Sequence, residues 1–186
     1  MVDQPTTTER TSGARFPRRR FLRWLIRLGY GAFALAFALP ALALRTLQSE
    51  TQSVTAGDVL VYAAGELSGT PVTVSGIPVG SAVQAFPEGK SDNQQTLIQI
   101  VHLTGTTEPA VVAYSAICTH LGCSVLAQLT DEENIFCPCH ASVFNPANDA
   151  AVVSGPAGRP LPELPLTIDS GVIIAAGSFN APVGPQ

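Results

Sequence analysis

Apolar residues are distributed along this chain in two different ways. From Leu28 to Leu44 they run nearly unbroken, interrupted only by Gly, Tyr and Pro40, which predicts an apolar helix. At ~1.5 Å per residue this stretch spans ~26 Å, slightly short of a ~30 Å hydrocarbon core. Extension to Trp24 and Leu47, with Arg27 snorkelling, completes a membrane span. Beyond residue 57 the pattern changes to short β-rich runs: Val59–Tyr62, Val72–Val74, Leu97–Val101, Ala110–Tyr114, Asn134–Phe136 and Val172–Ala175. Gly, Pro, Asn and Asp punctuate them, and no 3.6-residue period appears outside the first segment. This predicts an all-β domain, an antiparallel β-sandwich or barrel, preceded by one N-terminal transmembrane helix.

Between these parts, Arg45 to Gly57 is polar and without hydrophobic period. A flexible tether of that length has a typical reach of ~20 Å and a limit of ~45 Å. The expected organisation is an N-terminal segment 1–17, an anchor 18–44, a flexible hinge 45–56 and a domain 57–186. Seven of the ten basic residues precede residue 28, which keeps the N-terminus cytoplasmic. After Arg45 only Lys90 and Arg159 are basic, against twelve acidic residues, so this part carries a formal charge of 2 − 12 = −10. Such a surface excludes nucleic acid as a partner and suits a partner with a lysine-rich face.

All four cysteines and two of the three histidines fall in two islands, Cys118-Thr119-His120-Leu121-Gly122-Cys123 and Cys137-Pro138-Cys139-His140. A zinc site is one reading of such spacing. Against it, Cys137 and Cys139 have one residue between them, and six candidate ligands exceed the needs of one tetrahedral ion. An all-disulfide framework would leave both histidines without a role.

The ordered Cys-x-His and Cys-x-x-His resemble the signature of Rieske [2Fe–2S] proteins, whose centre takes two thiolates on one iron and two imidazoles on the other. The resemblance implies Cys118, His120, Cys137 and His140 as ligands, with a cluster-binding subdomain near residues 116 to 160. It also implies a disulfide between Cys123 and Cys139, as in subunits of bc1 and b6f complexes, and hence an oxidising compartment. Rieske ferredoxins and ring-hydroxylating oxygenases generally lack that pair. Ser142 matches the family's serine that donates to a bridging sulfide, and Gly155-Pro156-Ala157 matches its proline-containing third loop. Two departures stand out: Ala141 replaces the usual glycine, and Phe144 replaces a tyrosine that bonds a ligand sulfur in many high-potential members.

Arg18-Arg19-Arg20-Phe21-Leu22-Arg23 is similar to the twin-arginine export pattern, a route that carries proteins folded around a cluster. Ala41-Leu42-Ala43 resembles a cleavage site, but bc-type relatives keep the segment as an anchor. The expected location is therefore the cell membrane, single-pass, with the β domain on the periplasmic side. The expected function is electron transfer as the iron–sulfur subunit of a membrane quinol:cytochrome c (or cupredoxin) oxidoreductase. Its partners would be quinol, a cytochrome b-type subunit and a cytochrome c or cupredoxin acceptor. By resemblance, His140 meets the quinol hydroxyl and takes its proton, and Leu121 at the tip packs on cytochrome b. The alternative is the small Rieske subunit of a periplasmic molybdenum oxidase such as arsenite oxidase. His102, outside the islands, reads as a surface strand residue. Pro160, Pro162 and Pro165 predict an extended exit from the subdomain rather than a sheet-bound one.

Overall fold

The computed structural model describes residues 19, 21–27, 29, 30, 33, 36, 53–105 and 110–186. The chain divides into two units, Met1–Leu47 and Gln48–Gln186. In the first, every described residue is helical, and Phe21 stacks on Trp24 at 6.5 Å between ring centroids. No helix of the described residues is long and apolar enough to cross a membrane. Most of the expected anchor, together with Arg18, Arg20 and residues 45–52 of the expected hinge, lies outside the described residues.

The second unit is mostly β, with antiparallel pairing in all three sheets. Strands β1 (Leu60–Tyr62), β2 (Ser81–Pro87), β3 (Ile98–His102) and β4 (Val111–Ser115) form a meander in chain order. Strands β5 (Ile135–Cys137), β6 (Ser142–Asn145) and β7 (Ala151–Ser154) form a second, and β8 (Leu166–Asp169) pairs with β9 (Val172–Ala175). Single bridges Val59↔Ile174 and Thr73↔Val172 attach the last hairpin to the start of the domain. There Lys90 donates to the Ser53 carbonyl at 2.8 Å and pairs with Asp58 at 2.7 Å, and Val54 is buried.

Strands β3 and β4 are buried on both faces because they separate two cores. Ile98, Ile100 and Ala113 point to a core with Leu60 and Ile173. Val101 and Tyr114, on the alternate positions, point to a core with Ile117, Val125, Ile135 and Phe144; side chains alternate faces along a strand. This corrects the reading of His102. It is only 7% exposed, because β3 has neighbours on both edges and both faces, and its Nδ1 lies 2.7 Å from the Ile77 carbonyl, to which it donates.

Other expectations also shift. Val72–Val74 is not a strand: Val72 donates to Leu60 and accepts from Ile173, after which Val74–Gly76 turns as a 3-10 helix. The exit past Pro160 is extended, yet it does pair. Pro162 accepts from the Ser115 amide and Leu164 donates to Ala113, both at 2.8 Å. These bonds use the carbonyl of Pro162 and the N–H of Leu164, so the free edge of β4 is covered without calling on a proline N–H.

Tyr114 joins the two sheets by donating to the Pro146 carbonyl at 2.9 Å. Burial first, then the nearby carboxylates of Glu163 and Asp149, push its hydroxyl up to about 12 from the ordinary 10.0. The unfolded chain then releases this proton before the folded one does, so the contribution is complete below pH 10 and lost as pH rises toward 12. Alkaline unfolding of the full chain should steepen in that window, and Tyr114→Phe should flatten it, as followed by circular dichroism.

Candidate metal centre

Three loops converge at one end of the second core. The first, Cys118–Cys123, is closed by the Cys118 amide donating to the Cys123 carbonyl at 2.7 Å and the Gly122 amide donating to Cys118 at 3.0 Å. Gly122 has φ +81°, which glycine adopts without strain. The second is the β5–β6 turn, fixed by the register Cys137↔Ser142. Ala141 in that turn has φ +58°, the left-handed conformation for which glycine is the unstrained choice. The third follows β7 at Gly155-Pro156-Ala157. No side chain fits at Gly155: an added Cβ would lie 2.5 Å from Ser142 Cα and 2.6 Å from the Ala141 oxygen.

Each residue nominated from the sequence lies in this convergence. Cys123 and Cys139 form a disulfide that joins the first and second loops, with Cα atoms 6.5 Å apart. Cys118 and Cys137 are free and buried. The His120 and His140 rings meet edge to face, centroids 4.6 Å apart at 89°. His140 is exposed and Leu121 is 62% exposed, so the loops present both an imidazole and an apolar side chain to solvent. Ser142 is fully buried and accepts from the Ala157 amide at 3.2 Å. That bond ties the third loop to the second and leaves the hydroxyl proton free to be donated. Phe144 is fully buried in the same core as Cys118 and Cys137, where the β6–β7 register shifts between Val143 and Phe144.

The family model described as Rieske [2Fe-2S] domain matches residues 77–165. A Haloferax mediterranei protein named "Putative respiratory nitrate reductase subunit Rieske" is 33% identical over 98% of this chain and 86% of its own length. The cytochrome bc1 complex Rieske iron-sulfur subunit of Streptomyces lividans is 36% identical over 62% of this chain and 79% of its own. This chain belongs to the Rieske family. Among solved structures, a chain of a hyperthermophilic respiratory complex III is 28% identical, covering 80% of this chain and 99% of that one, with a TM-score of 0.43.

As a Rieske protein the chain transfers electrons through a [2Fe–2S] cluster, and its residues fit that group. His120 Nδ1 is buried without a hydrogen-bond partner, a costly state for a polar atom unless it ligates. Burial and then the neighbouring Cys118 thiol push the Cys137 thiol up, whereas the backbone amides of Cys139 and His140, directed at its sulfur, pull it down. Metal binding removes that proton, since the ligand is the thiolate. Among the described residues no three His, Cys, Asp or Glu side chains form a single-ion site. A two-iron centre of this type asks only two protein ligands of each iron.

The supports beneath the Rieske loops were not anticipated from the sequence. Gln84 and Gln99, cross-strand neighbours on β2 and β3, donate to the carbonyls of Val125 and Ala127, both at 2.9 Å. They hold the chain leaving the first loop onto the sheet. Thr119, between two nominated ligands, donates to the Arg159 carbonyl at 2.7 Å. The available signal was Arg159 itself, one of two cations in a strongly acidic domain.

Proposed function

We propose that this chain is the iron–sulfur subunit of a membrane complex that oxidises quinol and passes electrons to a cytochrome c or cupredoxin. Cys118, His120, Cys137 and His140 would hold the [2Fe–2S] cluster, and the Ser142 hydroxyl would donate to it. The exposure of His140 and of Leu121, with His120 Nδ1 buried, carries this reading. The His140 imidazole is thereby open to an incoming hydroxyl, while the Nδ1 edge of the half-buried His120 ring faces inward.

The bound cluster supplies one-electron redox chemistry. The protein's own part is to orient and to handle the proton. Loops one and two, joined by the disulfide, fix both histidine rings, and the apolar core excludes water from the Cys118 and Cys137 side. The quinol hydroxyl approaches His140, whose free ring nitrogen takes the proton. Leu121 gives the surrounding tip an apolar surface that suits docking on a cytochrome b-type membrane subunit. Residues 18–44 stay as the anchor, with the β domain on the periplasmic side, residues 45–56 serve as hinge, and the acidic surface meets the electron acceptor.

A second reading rests on the Haloferax relative, which matches 98% of this chain where the Streptomyces one matches 62%. It makes this the Rieske subunit of a respiratory nitrate reductase, in line with the molybdenum-enzyme alternative read from the sequence. Purification of the tagged full chain from native membranes separates the two. The first reading expects a cytochrome b-type subunit to co-purify, with quinol-dependent reduction of cytochrome c. Co-purification of a molybdopterin subunit, without cytochrome b or quinol oxidation, would overturn it in favour of the second.

A further inference from the structure

We propose that Arg159 is a positioning residue for the first cluster loop, acting through a clamp on the chain segment Pro182–Pro185. The proposal rests on the Rieske cluster and not on which complex the subunit serves.

Arg159 stands between two segments distant in sequence. Its main-chain carbonyl accepts from Thr119, in the loop that carries Cys118 and His120. Its half-buried guanidinium donates from one nitrogen to the carbonyls of Pro182 and Gly184, each at 2.6 Å. Bonds of this kind, with a charged donor, are roughly twice as strong as neutral ones.

The clamped segment lies against the same loop. A Cβ added at Gly184 would come 3.6 Å from Ile117 Cγ2, and one added at Gly122 would come 3.4 Å from Pro185 Cδ. Ile117 immediately precedes the first island and Gly122 lies within it, next to Cys123. The loop is therefore held by the disulfide and by the Thr119 bond to the Arg159 carbonyl, and it is backed by a segment whose carbonyls Arg159 fastens while Val183 packs on the core beneath. Asn180 continues the attachment, exchanging bonds of 2.9 Å with Glu163 through its amide and side-chain oxygen. Loss of the clamp frees Pro185 to leave Gly122 and lets the Cys118–Cys123 turn widen. The two ligands on that turn then sample more than one geometry.

The test uses the full-length chain with its cluster. Three variants are compared with wild type: Arg159→Gln, a chain ending at Ala181, and the two combined. Each single change is expected to speed cluster bleaching by a chelator at least threefold and to broaden the EPR lines of the reduced protein. The double change should be no worse than either single one, because both remove one clamp. Wild-type behaviour of the shortened chain would overturn the proposal, whatever Arg159→Gln does, since Arg159 would then act as a charge. Multiplying effects would overturn it, as would lowered melting temperatures with unaltered EPR lines and bleaching rates. Should the shortened chain fail to load, Thr119→Val severs the other end: broadened lines are expected, and unchanged lines overturn the proposal. If wild-type protein itself lacked a Rieske EPR signal, the family's chemistry would be at fault rather than the clamp.

Discussion

Purified full-length chains carrying His120→Ala or Cys137→Ala should be colourless, with iron and acid-labile sulfide near zero against about two of each in wild type. The size of this effect follows from the absence of substitutes among the described residues. Cys123 and Cys139 are joined to each other. The third histidine, His102, is buried on β3 with its Nδ1 committed to the Ile77 carbonyl, where it cannot reach the loops without unpairing the central sheet. The protein should nevertheless fold. The first loop keeps its disulfide, its Thr119 bond and the glutamine contacts to residues 125 and 127. Trimming Cys137 to alanine removes one buried sulfur, at a cost of about 1 kcal/mol by analogy with small core deletions. Low-temperature EPR after dithionite reduction checks the outcome. A normal Rieske spectrum from either variant would refute the ligand assignment. Alkylation of the same preparations should leave Cys123 and Cys139 unmodified until a reductant is added.

What the sequence could reveal was set by how local each determinant is. The two islands are short, and the cysteines and histidines within them have few other uses, so candidate ligands could be nominated before any fold was known. Strands β1, β3, β4, β5 and β9 were also visible, because short runs rich in Val, Ile, Leu and aromatic residues stand there between turn residues. Strand β2, the longest at seven residues, was not. Its Ser-Ala-Val-Gln-Ala-Phe-Pro holds one β-branched residue and ends in proline, and it becomes a strand because β1 and β3 pair with it on either edge. Strands β6 and β7 hold Val143, Phe144, Val152 and Val153, but each apolar pair is too short to stand out as a strand on its own. His102 was misjudged for a related reason: the burial of both faces of β3 depends on two cores made by residues far apart in sequence. The Arg159 contacts are of the same kind, since they span 23 and 25 residues.

A hydroxyl placed on Phe144 should raise the midpoint potential, and removal of the one on Ser142 should lower it. Reduction makes the cluster and its sulfurs more negative, so a donor aimed at a sulfur favours the reduced state. Phe144 lies fully buried in the core that holds the Cys118 and Cys137 sulfurs, so a phenolic hydroxyl there has sulfur as its natural acceptor. Ser142 is buried, and its oxygen already accepts from Ala157, which leaves its proton as the donor. A hydrogen bond to a charged group contributes about 1.5–3 kcal/mol, and ~59 mV corresponds to a tenfold change for one electron. Only the part that differs between oxidation states counts, so shifts of several tens of millivolts are expected in each direction. The double variant should return near the wild-type value, because the two donors act on different sulfurs. Each substitution also has a structural cost. Ser142→Ala strands the Ala157 amide, and Phe144→Tyr adds an atom to a packed core at about 1–3 kcal/mol. Redox titration at fixed pH, beside thermal melts, separates the two effects. If Phe144→Tyr lowers the melting temperature while the potential stays put, its hydroxyl has found no sulfur, and the absence of a tyrosine at this position would have no bearing on the potential.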